Sequence, residues 1–155
     1  MIDQFGRRIT YLRISVIDKC NLRCLYCMPS GYVSKSRVSE LLTHDELVEL
    51  STTFAELGIT KIRLTGGEPL LRPGLVEMVA RLATIPGITQ LAMSTNGVLL
   101  ARHARALKDA GLKRVNVSLD TLSPEKFAKI TGMERWHTVV EGIAEARAVG
   151  LAPVK

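Results

Sequence analysis

Cys20, Cys24 and Cys27 are the chain's three cysteines, gathered in the run Asp18-Lys19-Cys20-Asn21-Leu22-Arg23-Cys24-Leu25-Tyr26-Cys27-Met28-Pro29. A C-x3-C-x2-C spacing lets three thiols converge on one metal centre, and an odd count cannot pair off entirely as disulfides within the chain. Four cysteines would close a zinc or iron–sulfur site, whereas three leave a coordination position free for a substrate or cofactor. The spacing therefore points to a reactive cluster. Zinc completed by His44, His103 or His137 is a second reading, and three reduced structural thiols a third. None of the histidines stands at tight ligand spacing to the cysteines, and each falls in a stretch that reads as solvated helix or loop.

The elements that must position this loop follow from the rest of the chain. At 155 residues, with 46% hydrophobic and 23% charged, the sequence is long enough for one domain with a real core and ordinary for a soluble globular protein. No apolar run approaches membrane-spanning length, and Met1-Ile2-Asp3-Gln4-Phe5-Gly6-Arg7-Arg8 lacks the basic-then-apolar pattern of a signal peptide. A cytoplasmic setting and reduced thiols are the expectation. The net charge of +6 suits an anionic ligand or a basic solvated surface. With aromatics at 5%, a nucleic-acid-binding module is disfavoured.

A weak repeat runs through the remainder: a glycine at 58, 87, 111 and 150, each followed by a short alternating segment. Each unit reads as a helix stop leading into a strand. Tyr11 to Ile17 supplies an earlier strand without the leading glycine. Thr43 and Glu46 form a capping box ahead of Leu47, Leu50, Phe54 and Leu57. Leu75, Val76, Val79, Leu82 and Ala83 mark a second helix, Leu100, Ala104 and Leu107 a third, and Val139, Val140, Ile143 and Ala144 the last. Ser123-Pro124 opens a shorter one. Strand then helix, four times over with a fifth strand beginning, implies an α/β fold with a parallel sheet.

Strand alternation separates an open doubly wound sheet from a barrel. Leu12, Ile14 and Val16, Ile62 and Leu64, Leu91 and Met93, and Val115 and Val117 would face helices. The opposite face then carries Arg13 and Ser15, Arg63 and Thr65, Ala92 and Ser94, Asn116 and Ser118, and Lys155. A sheet buried on both sides would read as continuous apolar runs, so this face lines a polar lumen. Arg13, Arg63 and Lys155 on one face suit a polyphosphate. The motifs Gly66-Gly67-Glu68-Pro69, Ser94-Thr95-Asn96-Gly97 and Ser118-Leu119-Asp120 all follow strands, at the end where such barrels gather their active sites.

The cysteine loop with Tyr26 before the last cysteine, followed by Gly66-Gly67-Glu68-Pro69, resembles the radical S-adenosylmethionine (radical SAM) superfamily. The wider stretches Leu12 to Val16, Arg63 to Arg72 and Arg114 to Asp120 are similar to its GTP 3′,8-cyclase family, which starts molybdenum cofactor biosynthesis. The resemblance implies a partial (β/α) barrel of the radical SAM type, residues 1–155 being the N-terminal part of the core domain. It implies a 4Fe-4S cluster on Cys20, Cys24 and Cys27, S-adenosylmethionine held by Tyr26, Gly67 and Ser118, and GTP held by Arg13, Arg63, Ser94 and Lys155. No general acid or base is implied in this stretch. Ile17 and Lys19 depart from the Thr and Arg usual in the family.

The implied reaction converts GTP to (8S)-3′,8-cyclo-7,8-dihydroguanosine 5′-triphosphate through a 5′-deoxyadenosyl radical. An electron donor such as flavodoxin or ferredoxin and a downstream cyclic pyranopterin monophosphate synthase are the implied partners, with no membrane and no nucleic acid; a homodimer stays open. Family members carry a second 4Fe-4S cluster in a C-terminal part, so the expectation is that this stretch alone is inactive. Another radical SAM enzyme, such as a peptide-modifying one, and a non-catalytic iron–sulfur-binding fragment remain the alternatives.

Overall fold

The structure is a computed structural model and describes residues 2–28 and 40–155; Pro29 of the cysteine motif lies outside them. Strands β1 (Tyr11–Ser15), β2 (Lys61–Thr65), β3 (Gln90–Thr95) and β4 (Arg114–Val117) alternate with helices α1 (His44–Glu56), α2 (Leu75–Ala83), α3 (Leu100–Asp109), α4 (Pro124–Thr131) and α5 (Trp136–Ala148). The four strands pair in parallel in the order β1-β2-β3-β4. A doubly wound sheet would reverse its strand order at a switch point, whereas unbroken sequential order is the path of a barrel wall. The helices follow the same path, α1 packing on α2, α2 on α3 and α3 on α5. Chain and sheet therefore form the partial barrel that the alternation implied.

Local chemistry accounts for the boundaries. Thr43 Oγ1 accepts from Glu46 N at 3.2 Å while Glu46 Oε2 accepts from Thr43 N at 2.7 Å, closing the capping box that starts α1. Such a cap contributes about 0.5–2 kcal/mol. Ser123 caps α4 through Lys126 N at 3.3 Å, with Pro124 in the first turn. The four repeat glycines all take positive φ, from 78° at Gly150 to 101° at Gly111, as expected for helix stops that turn into strands. β1 ends at Ser15 rather than Ile17, though Val16 N still donates to Thr65 O at 2.9 Å.

The described residues form a four-stranded sheet, and where the repeat placed a fifth strand Lys155 alone is bonded to β4. Lys155 N donates to Val115 O at 3.2 Å and Lys155 O accepts from Val117 N at 2.7 Å, which sets Lys155 beside Asn116 in a parallel ladder.

The core lies between sheet and helices. Leu64, Met93 and Val115 are fully buried against Met78, Leu82, Leu100 and Leu107. Two helix faces sit differently from the apolar pattern. Leu50 and Leu57 are 40% and 50% exposed, because α1 turns Leu47 and the hydroxyl-bearing Ser51 to the core, with Val48, Phe54 and Ala55 at its flank. In α5, Val140 and Ala144 face outward, while Val139, Gly142 and Ala146 are buried. Gly142 sets that rotation: a Cβ there would lie 2.7 Å from Gly97 O, so only glycine lets α5 come this close to the start of α3.

Arg72 completes the frame as a buried cation whose guanidinium donates to Val16 O at 2.8 Å and to Leu42 O. It thereby ties the end of β1 to the chain entering α1.

The rotated α1 face gives a direct comparison. Leu107→Ala, at a fully buried site, should cost about 2–5 kcal/mol of stability in urea unfolding, whereas Leu50→Ala should stay within about 0.5 kcal/mol. An equal cost at both positions would mean that α1 packs on the face its leucines suggest.

Candidate functional site

The cysteine loop leaves β1 at the C-terminal end of the sheet and is anchored by Leu22, which is buried with Phe127 and Val139. Cys20 and Cys24 pack against that small cluster. Backbone bonds fasten the loop to the end of α4: Arg23 N donates to Thr131 O at 2.8 Å and Leu25 N to Ile130 O at 3.0 Å. Arg23 itself folds back, its Nη1 donating to Cys20 O at 2.8 Å and Leu22 O at 2.9 Å. Cys27 N and Met28 N both donate to Cys24 O, so a tight turn brings Cys27 back toward Cys24 with its thiol exposed. Burial is the first cause raising the Cys24 thiol pKa; the charges of Cys20, Cys27 and Asp120 add to it, against a lowering bond from Tyr26.

A glycine pair such as Gly66-Gly67 lets something approach the backbone closely. The close approach observed is to the chain itself. A Cβ on Gly66 would stand 2.2 Å from Ile17 O, and one on Gly67 would stand 2.2 Å from Lys19 O. Gly67 N donates to Ile17 O at 2.6 Å and Glu68 N to Lys19 O at 2.7 Å, so the glycine pair lies flat along the segment that enters Cys20.

Glu68 is fully buried, and among the described residues it has no cationic partner. Its Oε1 accepts from Leu70 N at 3.0 Å and Thr95 Oγ1 at 2.8 Å, and its Oε2 accepts from Asn96 N at 2.7 Å. Burial pushes the carboxyl pKa upward, with these three donors opposing it. Asn96 extends the chain of bonds, its Nδ2 reaching Asn21 Oδ1 at 2.7 Å and Cys20 Sγ at 3.7 Å. One buried carboxylate thus links the ends of β2 and β3 to the first cysteine.

On the other side of the loop the Tyr26 hydroxyl donates to Asp120 Oδ2 at 2.8 Å. This bond and burial raise the Tyr26 pKa well above the usual phenol range. Ser118 stands exposed just past β4, its N donating to Thr95 O at 2.9 Å. The cysteines, Tyr26, Gly67 and Ser118 therefore share the C-terminal end of the sheet.

Deeper in the lumen, register places Arg13 beside Arg63, Arg63 beside Ala92, and Ala92 beside Arg114. Ser94 faces Asn116, the neighbour of Lys155. Arg63 Nη1 reaches Ser94 Oγ at 3.4 Å, and its guanidinium lies 5.9 Å from the Tyr11 ring centre. The Nε atoms of Arg63 and Arg114 and the Asn116 Oδ1 are buried without a hydrogen-bond partner. Among the described residues the ion pairs are Arg7–Asp3 and Arg81–Asp45, and neither involves a lumen cation.

Sequence reasoning missed Arg114, although the alternation that set Asn116 in the lumen puts Arg114 there too. The strand-end motifs include Glu68, Asn96 and Asp120, but their roles as braces and as the Tyr26 partner were not foreseen, because those roles depend on burial or on a partner far along the chain.

The thiols suit a cluster better than a single ion. Among the described residues no three of His, Cys, Asp and Glu converge closely enough to hold one metal ion. His44 is occupied by Pro73 O at 3.1 Å, and His137 packs edge-on to Trp136. The donor set, three thiols on one loop with an amide donor at the first sulfur, is of the kind that holds an iron–sulfur cluster.

Fold and site define a class: a parallel (β/α) partial barrel with a three-thiol loop at its mouth and arginines in its lumen. The profile of the radical SAM superfamily matches residues 14–155, and the chain belongs to that superfamily. Its cofactors are accordingly a 4Fe-4S cluster and S-adenosylmethionine.

Over its whole length the chain is 53% identical to GTP 3′,8-cyclase of Peptoclostridium acidaminophilum, covering 48% of that protein. It is 52% identical to the GTP 3′,8-cyclase of Streptomyces coelicolor over 46% of that protein. Identity to molybdenum cofactor biosynthesis protein 1 of Mus musculus is 49%, over 24% of it. The chain thus spans about half the length, or less, of these curated relatives. Methylornithine synthase superposes with a TM-score of 0.71 at 20% identity, over 97% of this chain and 44% of that one. Streptococcus suis SuiB bound to its precursor peptide gives 0.73 at 16%, over 92% and 31%. At such identities these two show the fold alone. Among the described residues no helix is long and apolar enough to cross a membrane.

Glu68→Gln tests the brace. The amide puts an N–H₂ group where a carboxylate oxygen accepts, so at least one buried donor loses its partner. Stability should fall by about 1–3 kcal/mol, read by urea unfolding. An unchanged midpoint would show that the buried carboxyl holds nothing together.

Proposed function

We propose that the chain is the radical-generating part of a GTP 3′,8-cyclase that produces the cyclic triphosphate opening molybdenum cofactor biosynthesis. The observation that carries this reading is the row of lumen guanidiniums. Like charges directly opposite one another on neighbouring strands are destabilising, and Arg13 and Arg63 are such a pair. With Arg114 in the same register row and no carboxylate paired to any of them among the described residues, the lumen calls for an anion of several charges. A nucleoside triphosphate supplies one, and guanidinium forks match its oxygens.

In this reading Arg13, Arg63 and Lys155 hold the phosphates, with Arg114 added to them. Ser94 sits beside Arg63 and orients the substrate by a hydroxyl bond. Tyr26, Gly67 and Ser118 hold S-adenosylmethionine at the mouth, and Cys20, Cys24 and Cys27 hold the cluster. Held by these residues, the cluster and S-adenosylmethionine would supply the one-electron chemistry that opens the ribose 3′ C–H bond, and the cyclised product joins that carbon to guanine C8. The chain's own work is placement: the cation row fixes the triphosphate so that the ribose reaches the mouth, and the barrel wall keeps water from it. Reduction comes from a donor such as flavodoxin or ferredoxin, the product passes to cyclic pyranopterin monophosphate synthase, and the setting is the cytoplasm. A peptide substrate offers no comparable charge for the arginine row.

The test separates substrate from cofactor. In the full-length protein, Arg13→Ala or Arg63→Ala should weaken GTP binding about tenfold to hundredfold by calorimetry, the loss of a contact worth about 1.5–3 kcal/mol. Cleavage of S-adenosylmethionine without GTP should persist. Unchanged GTP affinity in both variants would assign the arginines a structural role and remove the cyclase reading's main support.

A further inference from the structure

Asn96 stands just past β3, and its polar groups are engaged one by one. Its backbone N–H is held by Glu68 Oε2 at 2.7 Å, and its Oδ1 accepts from Val98 N at 3.0 Å. A backbone N–H can only donate, so the side-chain oxygen must face Val98 and the amide cannot be turned round. Nδ2 then necessarily points the other way, toward Asn21 Oδ1 at 2.7 Å and Cys20 Sγ at 3.7 Å. Its two hydrogens match those two acceptors. Glu68 is fully buried and Thr95 nearly so, so the amide is aimed by a rigid surround rather than a mobile loop. Cys24 instead meets the Tyr26 hydroxyl from within its own loop.

We propose that Asn96 tunes the metal centre by donating its amide N–H to the Cys20 sulfur. Hydrogen bonds to ligating sulfurs are one of the levers that set a cluster's reduction potential. Uptake of an electron makes the cluster more negative, and the negative charge is shared with the thiolates. A donor at Cys20 therefore stabilises the reduced form more than the oxidised one and raises the potential. The sulfonium cofactor is cleaved only after the cluster accepts an electron, so the amide makes the cluster easier to charge from a weak cellular donor. Asn96 is a positioning residue, acting through Cys20 without touching substrate. The inference rests on the cluster assignment made above.

The experiment is a dithionite titration of the anaerobically reconstituted protein, followed by electron paramagnetic resonance at defined potentials, with the wild type beside Asn96→Asp, Asn96→Ala and Leu107→Ala. Asn96→Asp keeps the shape and the Val98 acceptor but replaces the donor with a negative oxygen. At a fixed potential its ratio of reduced to oxidised cluster should fall about tenfold or more, and that of Asn96→Ala about two- to tenfold. Leu107→Ala opens the core between α3 and the sheet and leaves the sulfur donor and its brace in place, so it should lower stability while the ratio stays at the wild-type value. Equal potentials in all four proteins, each with a full cluster, would overturn the inference and leave the cluster assignment intact. Failure of the wild type to take up iron would overturn both.

Discussion

A carboxylate taken out of water must find donors inside the protein, and Glu68 finds three, from Leu70, Thr95 and Asn96. The site depends on that constraint. The Glu68 N–H pairs with Lys19 O, immediately before Cys20, while the side chain grips the end of β3. The same residue therefore fixes where the cysteine loop starts and where the third strand stops. Gly66 and Gly67 are small because the segment at 17–19 lies against them. The loop is consequently set by its contact with the sheet end, with α4 and the Leu22 anchor closing it from the other side.

A second constraint runs through the lumen. Helix-facing positions of the strands are apolar and close-packed, leaving the inner face free to carry charge, and it carries arginines side by side. Such a row is tolerated where an anion is to lie. In the proposed function the division of labour follows the barrel: substrate charge is met along the strands and the reactive cofactors at their C-terminal ends. Tyr26 and Asp120 join the cysteine loop to the end of β4, so both sides of the mouth are tied to the wall.

Much of this was legible in the sequence because it is local. The cysteine spacing, the capping box at Thr43 and the glycine before each strand are short-range signals, and each appears where the pattern put it. Alternation was enough to set Arg13, Arg63 and Ser94 on one face. The rest depended on the third dimension. Which face α1 and α5 present turned on Ser51 and Gly142, residues that hydrophobicity alone would not choose. The Glu68 brace and the Asn96 amide join positions up to 76 residues apart, beyond the reach of any periodicity. Gly66-Gly67 was visible as a motif, yet its immediate reason, backbone against backbone, became clear only once the 17–19 segment was seen beside it.

The central claim is that Cys20, Cys24 and Cys27 hold an iron–sulfur cluster with one iron open to S-adenosylmethionine. Its most direct test is anaerobic reconstitution of the 155-residue chain, with iron and sulfide analysis and electron paramagnetic resonance before and after adding S-adenosylmethionine. The account predicts a single oxygen-sensitive 4Fe-4S cluster per chain, a spectrum that changes on adding S-adenosylmethionine, and loss of the cluster when any one of the three cysteines is replaced. Stoichiometric zinc with no iron uptake, or a cluster that survives loss of Cys24, would contradict it.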